Sequence, residues 1–404
     1  MSSEFKRWQQ RTFWLLWITY ASFYLGRVNL SVALPGLMDE FGWTKTQVGV
    51  IGAALFWAYA VGQLVNGFLG DRIGARVMIA AGLAVSALLN LAFGFGAGLV
   101  GLTVVWGLNG YVQAMGWGPV VKTMANWFPP SERGKVAGRM GTSYILGGAA
   151  SVLLAGFIAA QWGWRWTFFA PGLLMLVFAA RWYSRARNRP EDIGFPPVER
   201  TAEREGLALS LKRSLGNPTA WVLGAALMFT NVLRYGFLTW APTYLFETQG
   251  AAIDKAAYSS VIFPLAGALG AVAAGWASDR WFKSRRAPCA CLCLAAAGAL
   301  AYAYRVADYW LAGLLLLAAT GATVFGAHVL VVGAAPMDCG GRKAASAVTG
   351  FIDAWGYVGA GATGLVTGLL VDRWGWSAGF NFWALSAFAG ALVMVPLWVR
   401  NRKD

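Results

Sequence analysis

The sequence predicts an all-α membrane protein with about twelve transmembrane helices in two pseudo-symmetric six-helix halves. Three observations support this prediction: an apolar composition, long apolar runs and an internal repeat. Hydrophobic residues make up 58% of the 404 residues and charged residues only 13%, whereas a soluble domain carries roughly a quarter charged residues. Several runs are long enough to cross a bilayer core, which takes about 20 residues, and they form helices because lipid offers the backbone no hydrogen bonds: Thr12–Leu34, Val48–Leu69, Val77–Phe95, Ala220–Leu238 and Leu311–Ala335.

The basic residues predict the orientation of the chain. The net charge is +15, but we expect no nucleic-acid partner because the basic residues lie between apolar runs rather than on a soluble face. With the N-terminus in the cytoplasm, 25 of the 33 lysines and arginines fall in predicted cytoplasmic segments and five on the other side. This is the positive-inside pattern. We therefore expect a multi-pass protein of the cell (inner) membrane, surrounded by the lipid bilayer, with both termini in the cytoplasm.

The two halves of the chain repeat each other. The stretch RVNLSVALP from Arg27 recurs as RYGFLTWAP from Arg234, an offset of 207 residues, and the triplet WGW at Trp162 recurs at Trp374. Two parallel repeats of six spans are the arrangement of the major facilitator fold, whose substrate site lies near the midplane between the halves. The predicted domains are an N-terminal six-helix bundle (1–180), a cytoplasmic linker (181–218) and a C-terminal six-helix bundle (219–404).

A charged stretch after the second span is the candidate gate. GFLGDRIGAR, from Gly67, resembles the loop between the second and third spans of major facilitator proteins. Its Asp71 and Arg72 recur in the second half as Asp279 and Arg280. An acid here can accept hydrogen bonds from an arginine or a helix end and so lock one conformation. The alternative is a solvated turn that only orients the chain, but the recurrence favours the gate.

Arg27 and Arg234 are the strongest candidates for a substrate site. Each is expected near the middle of its span, where a charge costs roughly 3 kcal/mol and is usually functional. Because the repeat relates them, they should face each other across the central cavity. Two guanidinium groups that converge on one point suit a phosphate, which has enough oxygens for two bidentate contacts. The alternative is two structural arginines paired with acids or carbonyls, but few intramembrane acids are available.

Other polar residues within spans are candidates for the same cavity. Tyr20 and Tyr24 lie seven and three residues before Arg27 and share roughly its helix face. For any single tyrosine, a core aromatic with a satisfied hydroxyl is an equal alternative. The remaining candidates for substrate binding are Tyr59, Gln63, Tyr144, Tyr235, His328, Asp353 and Tyr357.

Two of these candidates can titrate. His328 is the only histidine; it could change charge near neutral pH, although a satisfied interhelical hydrogen bond is the commoner role. Asp353 is an intramembrane carboxylate that needs a partner, and Arg234 or Arg27 is the natural one.

Four segments carry a resemblance to a known family: Tyr24–Pro35, Asn109–Gly134, Leu233–Leu245 and Gly350–Gly364. They resemble the organophosphate:phosphate antiporter family, which includes the bacterial glycerol-3-phosphate and hexose-6-phosphate exchangers. The resemblance implies that Arg27 and Arg234 bind phosphate. The sequence around Asp353, GFIDAWGYVG, is more similar to the sugar-phosphate exchangers of the endoplasmic reticulum.

The chain also departs from the bacterial exchangers. Val28 stands where they carry a lysine after the first arginine, and Gln63 aligns with the lysine of their second span. Tyr144 aligns with the fifth-span histidine of the glycerol-phosphate carrier. The cavity therefore has fewer cations, which leaves the organic part of the substrate open.

Together these features predict a secondary active transporter that exchanges an organophosphate, of the glycerol-3-phosphate or sugar-phosphate type, for inorganic phosphate by alternating access. Two alternatives stay open: a proton-coupled symporter of sugar-acid anions, and a transporter-like sugar-phosphate sensor. We expect no enzyme, because no nucleophile elbow or phosphate-cradling loop appears. The four cysteines lack metal-site spacing, so we expect no metal, no cofactor and a monomer.

Overall fold

A computed structural model describes residues 3–198, 215–250, 252–283, 285–307 and 310–399. Every regular element in these ranges is a helix, which confirms the all-helical prediction. Eight of the described helices are long and apolar enough to cross a membrane by themselves. Together with the broken and the more polar helices, the described part of the chain forms twelve consecutive spans.

The first half contains six of these spans. Span six continues past residue 180 to Arg185, and the domain boundaries at 180 and 218 stay a prediction. The bounds are Ser3–Phe23 with Asn29–Phe41 (span one), Lys45–Ile73 (two), Ala75–Phe95 (three), Leu99–Gln113 with Trp117–Trp127 (four), Pro130–Trp162 (five) and Trp166–Arg185 (six).

The second half repeats this order. Span seven begins at Pro218, where the Asn217 side chain accepts a hydrogen bond from the Thr219 backbone nitrogen at 3.0 Å. The bounds are Pro218–Gln249 (span seven), Ile253–Ser260 with Ile262–Arg280 (eight), Arg286–Tyr304 (nine), Trp310–Val329 with a π-helical turn at Leu330–Ala334 (ten), Ala335–Trp374 (eleven) and Trp376–Val399 (twelve).

Several helices extend beyond their apolar runs. Span one begins at Ser3 rather than near Thr12, and span five begins at Pro130 and includes Lys135. Apolarity marks only the part of a helix within the lipid core, so a helix that continues into the aqueous rim is longer than its run. Each span runs between two faces of the protein. The linker face carries Arg185, at the end of span six, and residues 186–198; the opposite face lies at the other end of each span.

Span one is broken in its middle. A 3₁₀ turn covers Tyr24–Gly26, and Arg27 follows it with φ −121° and ψ −48°, outside the helical region. The break leaves the carbonyl groups of Phe23 and Gly26 without helical partners, and side chains of span four donate hydrogen bonds to them instead. The sequence predicts a continuous helix here, so the break, with Arg27 in it, is a finding of the structure.

The halves pack together along spans two and eleven. A Cβ atom added to Gly49 would collide with the carbonyl oxygen of Gly364, and one added to Gly368 would collide with the carbonyl of Lys45. Only glycine allows two backbones to approach this closely, as in small-residue helix packing in membranes. These contacts lie toward the opposite face, where the described part of the protein is therefore closed.

Candidate substrate site

Arg27 and Arg234 line the same cavity between the two halves. Both side chains are buried, with exposed fractions of 7% and 8%. The cavity lies on spans one, two, four and seven, and most of its wall is apolar. Its other lining residues are Tyr24, Val28, Leu30, Ser31, Gly52, Leu55, Phe56, Trp106, Tyr235, Leu238 and Thr239.

Arg27 is held by neutral groups of its own half. Its Nε and Nη2 atoms donate hydrogen bonds to Gln113 Oε1 at 3.2 and 3.1 Å. Its Nη1 donates to the Tyr24 hydroxyl at 3.4 Å. The guanidinium carbon lies 4.7 and 4.6 Å from the ring centroids of Tyr24 and Tyr59, within cation–π range of both. The cation is thus fixed in place while its charge is left uncancelled.

A buried network of amides lies behind Arg27. Asn109 Nδ2 donates to the Gly26 carbonyl at 2.8 Å and Asn90 Nδ2 to the same carbonyl at 3.2 Å. Ser86 Oγ donates to Asn109 Oδ1 at 2.6 Å. The network satisfies carbonyl groups that the break in span one exposes, which explains how an apolar bundle tolerates so many buried amides.

Arg234 is held less completely. Its Nη1 lies 3.4 Å from Nε2 of His328, which accepts a hydrogen bond when that nitrogen is unprotonated. Its guanidinium carbon lies 4.6 Å from the Phe325 ring centroid and 4.9 Å from that of Tyr235. The buried Nε has no hydrogen-bond partner among the described residues. Arg234 therefore keeps a donor that a bound anion can satisfy.

Aromatic side chains join the two halves next to the arginines. Phe56 of span two lies 4.5 Å from Tyr235 of span seven, centroid to centroid, and Tyr59 lies 4.5 Å from Tyr357 of span eleven. Gln63 donates to the Tyr59 hydroxyl at 3.1 Å. The structure thus brings four predicted site residues, Tyr59, Gln63, Tyr235 and Tyr357, together near Arg27 and Arg234. Phe56, which the sequence did not indicate, joins them.

A second, more apolar cavity adjoins Arg234. Tyr144 of span five lines it and lies 6.4 Å from Tyr24, ring to ring. Tyr20 lies one turn before Tyr24 and packs against it at 6.1 Å and against Trp117 at 5.1 Å, so it supports the wall of the site. Val28, where the bacterial exchangers carry lysine, lines both cavities.

Asp353 has a different environment from the one expected. It forms no ion pair with Arg27, Arg234 or any other described residue, although Arg234 and Tyr144 are its electrostatic neighbours. The expected contact between this carboxylate and an arginine is therefore absent in this conformation. Neither arginine is neutralised by an acid within ion-pair distance in the described part of the chain.

The predicted gate residues are on the linker face. Asp279 accepts a hydrogen bond from Arg286 at 2.7 Å, a pair within the second half. Arg280 and Arg72 are exposed at the ends of their spans. The side chain of Asp71 lies outside the described residues, so the gating role of all four residues stays a prediction.

Contacts between the halves on the opposite face form a cluster that the sequence did not indicate. Asp372 accepts hydrogen bonds from the Lys45 and Thr46 nitrogens at 3.0 and 2.7 Å and from Thr46 Oγ1 at 2.6 Å. The Lys45 ammonium lies 3.0 Å from Glu247, which also accepts from Trp376. We call these five residues the opposite-face latch. A carboxylate of one half thus caps the first turn of span two in the other half.

The helical fold and the cationic cavity between two packed halves define a membrane transporter rather than an enzyme. The chain belongs to the Major Facilitator Superfamily, whose family model matches residues 16–364. Within it, the chain is a member of the organophosphate:phosphate antiporter family.

Three relatives illustrate the similarity. A probable hexose phosphate transport protein of Chlamydia pneumoniae is 30% identical over 100% of this chain and 94% of its own length. The glycerol-3-phosphate transporter of Bacillus subtilis is 30% identical, covering 100% and 95%. The membrane sensor protein UhpC of Salmonella typhimurium is 30% identical, covering 98% and 93%.

A solved structure matches the fold. A bacterial homologue of the human lysosomal transporter Spinster, in an inward-facing and unoccupied conformation, superposes with a TM-score of 0.80 over 98% of this chain and 96% of that one. The two sequences are only 15% identical, so this likeness shows the major facilitator fold alone.

Proposed function

We propose that this chain exchanges an organophosphate for inorganic phosphate across the membrane by alternating access. The observation that carries the proposal is the placement of Arg27 and Arg234, two buried arginines from repeat-related spans, on one cavity. A tetrahedral phosphate can accept hydrogen bonds from both guanidinium groups at once, whereas a single carboxylate has oxygens for only one bidentate contact.

The charge balance supports an anionic substrate. Neither arginine has an acid within ion-pair distance in the described part of the chain, and both lie where water is largely excluded. Two unneutralised cations in a low-dielectric site raise the energy of the empty protein, and a bound phosphate lowers it. Arg27 and Arg234 are therefore the residues that we assign to the phosphate, with Tyr24, Tyr59 and Tyr235 around them.

Exchange follows from the same electrostatics. In the empty protein the two cations repel each other, so closing the halves around an empty cavity is unfavourable. A phosphate between Arg27 and Arg234 removes this repulsion and holds the halves together. The loaded protein then passes between its two open forms more readily than the empty one, and net movement of one solute requires return of the other.

The relatives support the class of substrate. Proteins named as transporters of hexose phosphate and of glycerol-3-phosphate match this chain over nearly its full length. The loss of cationic positions at Val28 and Gln63 leaves Arg27 and Arg234 in place, so phosphate recognition is kept while the organic part of the substrate stays open.

Counterflow in proteoliposomes tests the proposal. Vesicles loaded with phosphate are offered labelled glycerol-3-phosphate, hexose-6-phosphate, phosphoglycerate and a sugar acid, with phosphate-free vesicles as the control. We expect saturable uptake of at least one phosphate ester, and only into phosphate-loaded vesicles. Uptake of the acid driven by a pH gradient would instead support the proton-coupled symporter.

A sensor is the second candidate, since the similarity to the membrane sensor protein UhpC equals the similarity to the transporters. Binding of a sugar phosphate to the purified protein without any flux in the same vesicles would favour the sensor. We expect flux, because both arginines and the packed halves needed for alternating access are in place.

We further propose that the protein works as a monomer in the inner membrane with its linker face in the cytoplasm. Single cysteines at Pro197 on the linker face and Lys255 on the opposite face test this orientation; both positions are exposed. In intact cells, an impermeant thiol reagent should label Lys255→Cys and leave Pro197→Cys unlabelled. The reverse pattern would overturn the orientation.

A further inference from the structure

Gln113 contacts Arg27 on one particular edge of its guanidinium group. Gln113 Oε1 accepts from Nε at 3.2 Å and from Nη2 at 3.1 Å. These two N–H groups form the side edge, one of the two edges with which an arginine can hold an oxyanion bidentately. The side edge of Arg27 is therefore occupied by a neutral amide oxygen before any substrate arrives.

The amide of Gln113 is itself held in one orientation. Its Nε2 donates to Ser86 Oγ at 2.8 Å and to the Phe23 carbonyl at 3.0 Å. Ser86 Oγ in turn donates to Asn109 at 2.6 Å. A flipped amide would turn its NH₂ toward the N–H groups of Arg27 and its oxygen toward the Phe23 carbonyl, so the network allows only one orientation.

The remaining freedom of Arg27 is removed by two tyrosines. The rings of Tyr24 and Tyr59 lie 4.7 and 4.6 Å from the guanidinium carbon, and Nη1 also donates to the Tyr24 hydroxyl. Nη1 and Nη2 each carry two N–H groups, of which one is used by Tyr24 and by Gln113 respectively. With the side edge taken by Gln113, the edge left for an anion is the end edge, formed by the remaining N–H groups of these two nitrogens.

We infer that Gln113 is the positioning residue of the site: it occupies the side edge of Arg27 and presents the end edge to the phosphate. This inference rests on the proposed function. Arg27 is thereby the fixed anchor of the cavity, and Arg234, whose Nε has no partner among the described residues, is the arginine that turns toward the anion.

The chemistry explains why an amide suits this position better than an acid. A carboxylate at residue 113 would also accept from Nε and Nη2 of Arg27, but it would cancel the charge that attracts phosphate. A glutamine fixes the geometry and leaves the full positive charge for the substrate.

Phosphate binding to purified variants tests the inference. Gln113→Met keeps the side-chain length but removes the acceptor, and we expect the Kd for inorganic phosphate to rise about tenfold. Gln113→Glu should raise it about tenfold further, because of its charge. Thr320→Val is the matched control: Thr320 lies 207 residues further on, is buried, and among the described residues its hydroxyl donates only to the Leu316 carbonyl of its own helix. Its Kd should equal that of the wild type.

Repeating the Gln113→Met measurement in two further variants, Arg234→Lys and Arg27→Lys, distinguishes a positioning role of Gln113 from general structural damage. Gln113 acts through Arg27, so Gln113→Met should cost phosphate affinity in the wild type and in Arg234→Lys, but not in Arg27→Lys. An equal loss in all three backgrounds, or no loss in any, would overturn the inference. If Gln113→Met does not fold, Ser86→Ala, which removes one partner of the amide, should show the same pattern on a smaller scale. Wild-type protein that binds no phosphate would overturn the proposed function itself.

Discussion

Span one and span seven carry the two arginines at equivalent positions of the repeat, but they hold them in opposite ways. Span one breaks at Tyr24–Gly26, and the amides of spans three and four satisfy the freed carbonyls and fix Arg27. Span seven is described as one helix from Pro218 to Gln249. Four buried polar atoms along it have no partner among the described residues: Asn231 Oδ1, Arg234 Nε, Trp240 Nε1 and Thr243 Oγ1.

The difference indicates that the two halves have different roles when substrate binds. In span one, by contrast, Asn29 Oδ1 is the one buried side-chain polar atom without a hydrogen-bond partner among the described residues. Each such atom costs about 1–3 kcal/mol until a partner is supplied. Span seven is therefore the element whose surroundings change when substrate binds or the halves rearrange. The first half is the rigid anchor, and the second half closes on it.

The largest expected effect comes from replacing the arginines by lysine, which keeps the positive charge but loses the planar guanidinium group that binds an oxyanion bidentately. Arg27→Lys should lower phosphate affinity by about 100-fold, roughly 2.7 kcal/mol, because a single ammonium nitrogen cannot contact Gln113 through two N–H groups and also hold phosphate bidentately. Arg234→Lys should cost about tenfold, since fewer contacts hold that residue. Calorimetric titration measures both, and the opposite ranking would contradict the assignment of Arg27 as the anchor.

The second prediction compares how much the protein is destabilised by a substitution in the amide network around span one and by one in span seven. Asn109→Leu removes the shortest hydrogen bond to the Gly26 carbonyl and the acceptor of the Ser86 hydroxyl, so we expect the free energy of unfolding in detergent to fall by about 1–3 kcal/mol. Thr243→Val removes a buried span-seven hydroxyl that has no partner among the described residues, and should be neutral or slightly stabilising. Equal destabilisation by both substitutions would contradict the contrast between the spans.

The third prediction concerns the opposite-face latch. Asp372→Asn removes the charge that caps span two, worth about 1 kcal/mol. The equilibrium should shift severalfold toward the form open at the opposite face. A cysteine at Gly52, in the cavity wall, reports this shift as faster labelling from that face when Asp372 is replaced. Unchanged labelling would show that glycine packing alone closes the face.

The smallest effect is expected at Asp353. Because its carboxylate forms no ion pair with a described residue, Asp353→Asn should leave stability nearly unchanged and should keep or slightly tighten phosphate binding. The pH dependence of exchange should also stay the same. Under the symporter alternative this variant would lose proton-driven accumulation while still exchanging identical pools, so measuring both fluxes separates the two accounts.

The sequence predicted the charged residues within the spans, because charged side chains are rare in apolar runs. A charge such as Arg27 or Arg234 stands out within an apolar run, and the repeat relates the two, so a shared cavity follows from their positions. Helix ends were predicted less well, because the ends of helices such as span one are polar and resemble loops.

The parts that the sequence did not predict depend on contacts between distant residues. Gln113 lies 86 residues from Arg27 and reads as an ordinary polar residue in a helix. Asp372 and Lys45 are 327 residues apart, at span ends where charges are common. The break in span one has no proline to mark it. The only signal in the sequence is the set of polar side chains within spans three and four, Ser86, Asn90 and Asn109, which need hydrogen-bond partners in an apolar bundle.

A double-mutant cycle tests most directly the central claim that one phosphate bridges Arg27 and Arg234. The Kd for inorganic phosphate is measured for the wild type, Arg27→Lys, Arg234→Lys and the double variant. If both arginines hold the same phosphate, losing one weakens what the other can contribute, so the combined loss should fall short of the sum of the single losses by at least about 1 kcal/mol. Losses that add within about 0.5 kcal/mol would show that the two arginines act independently and would contradict the account.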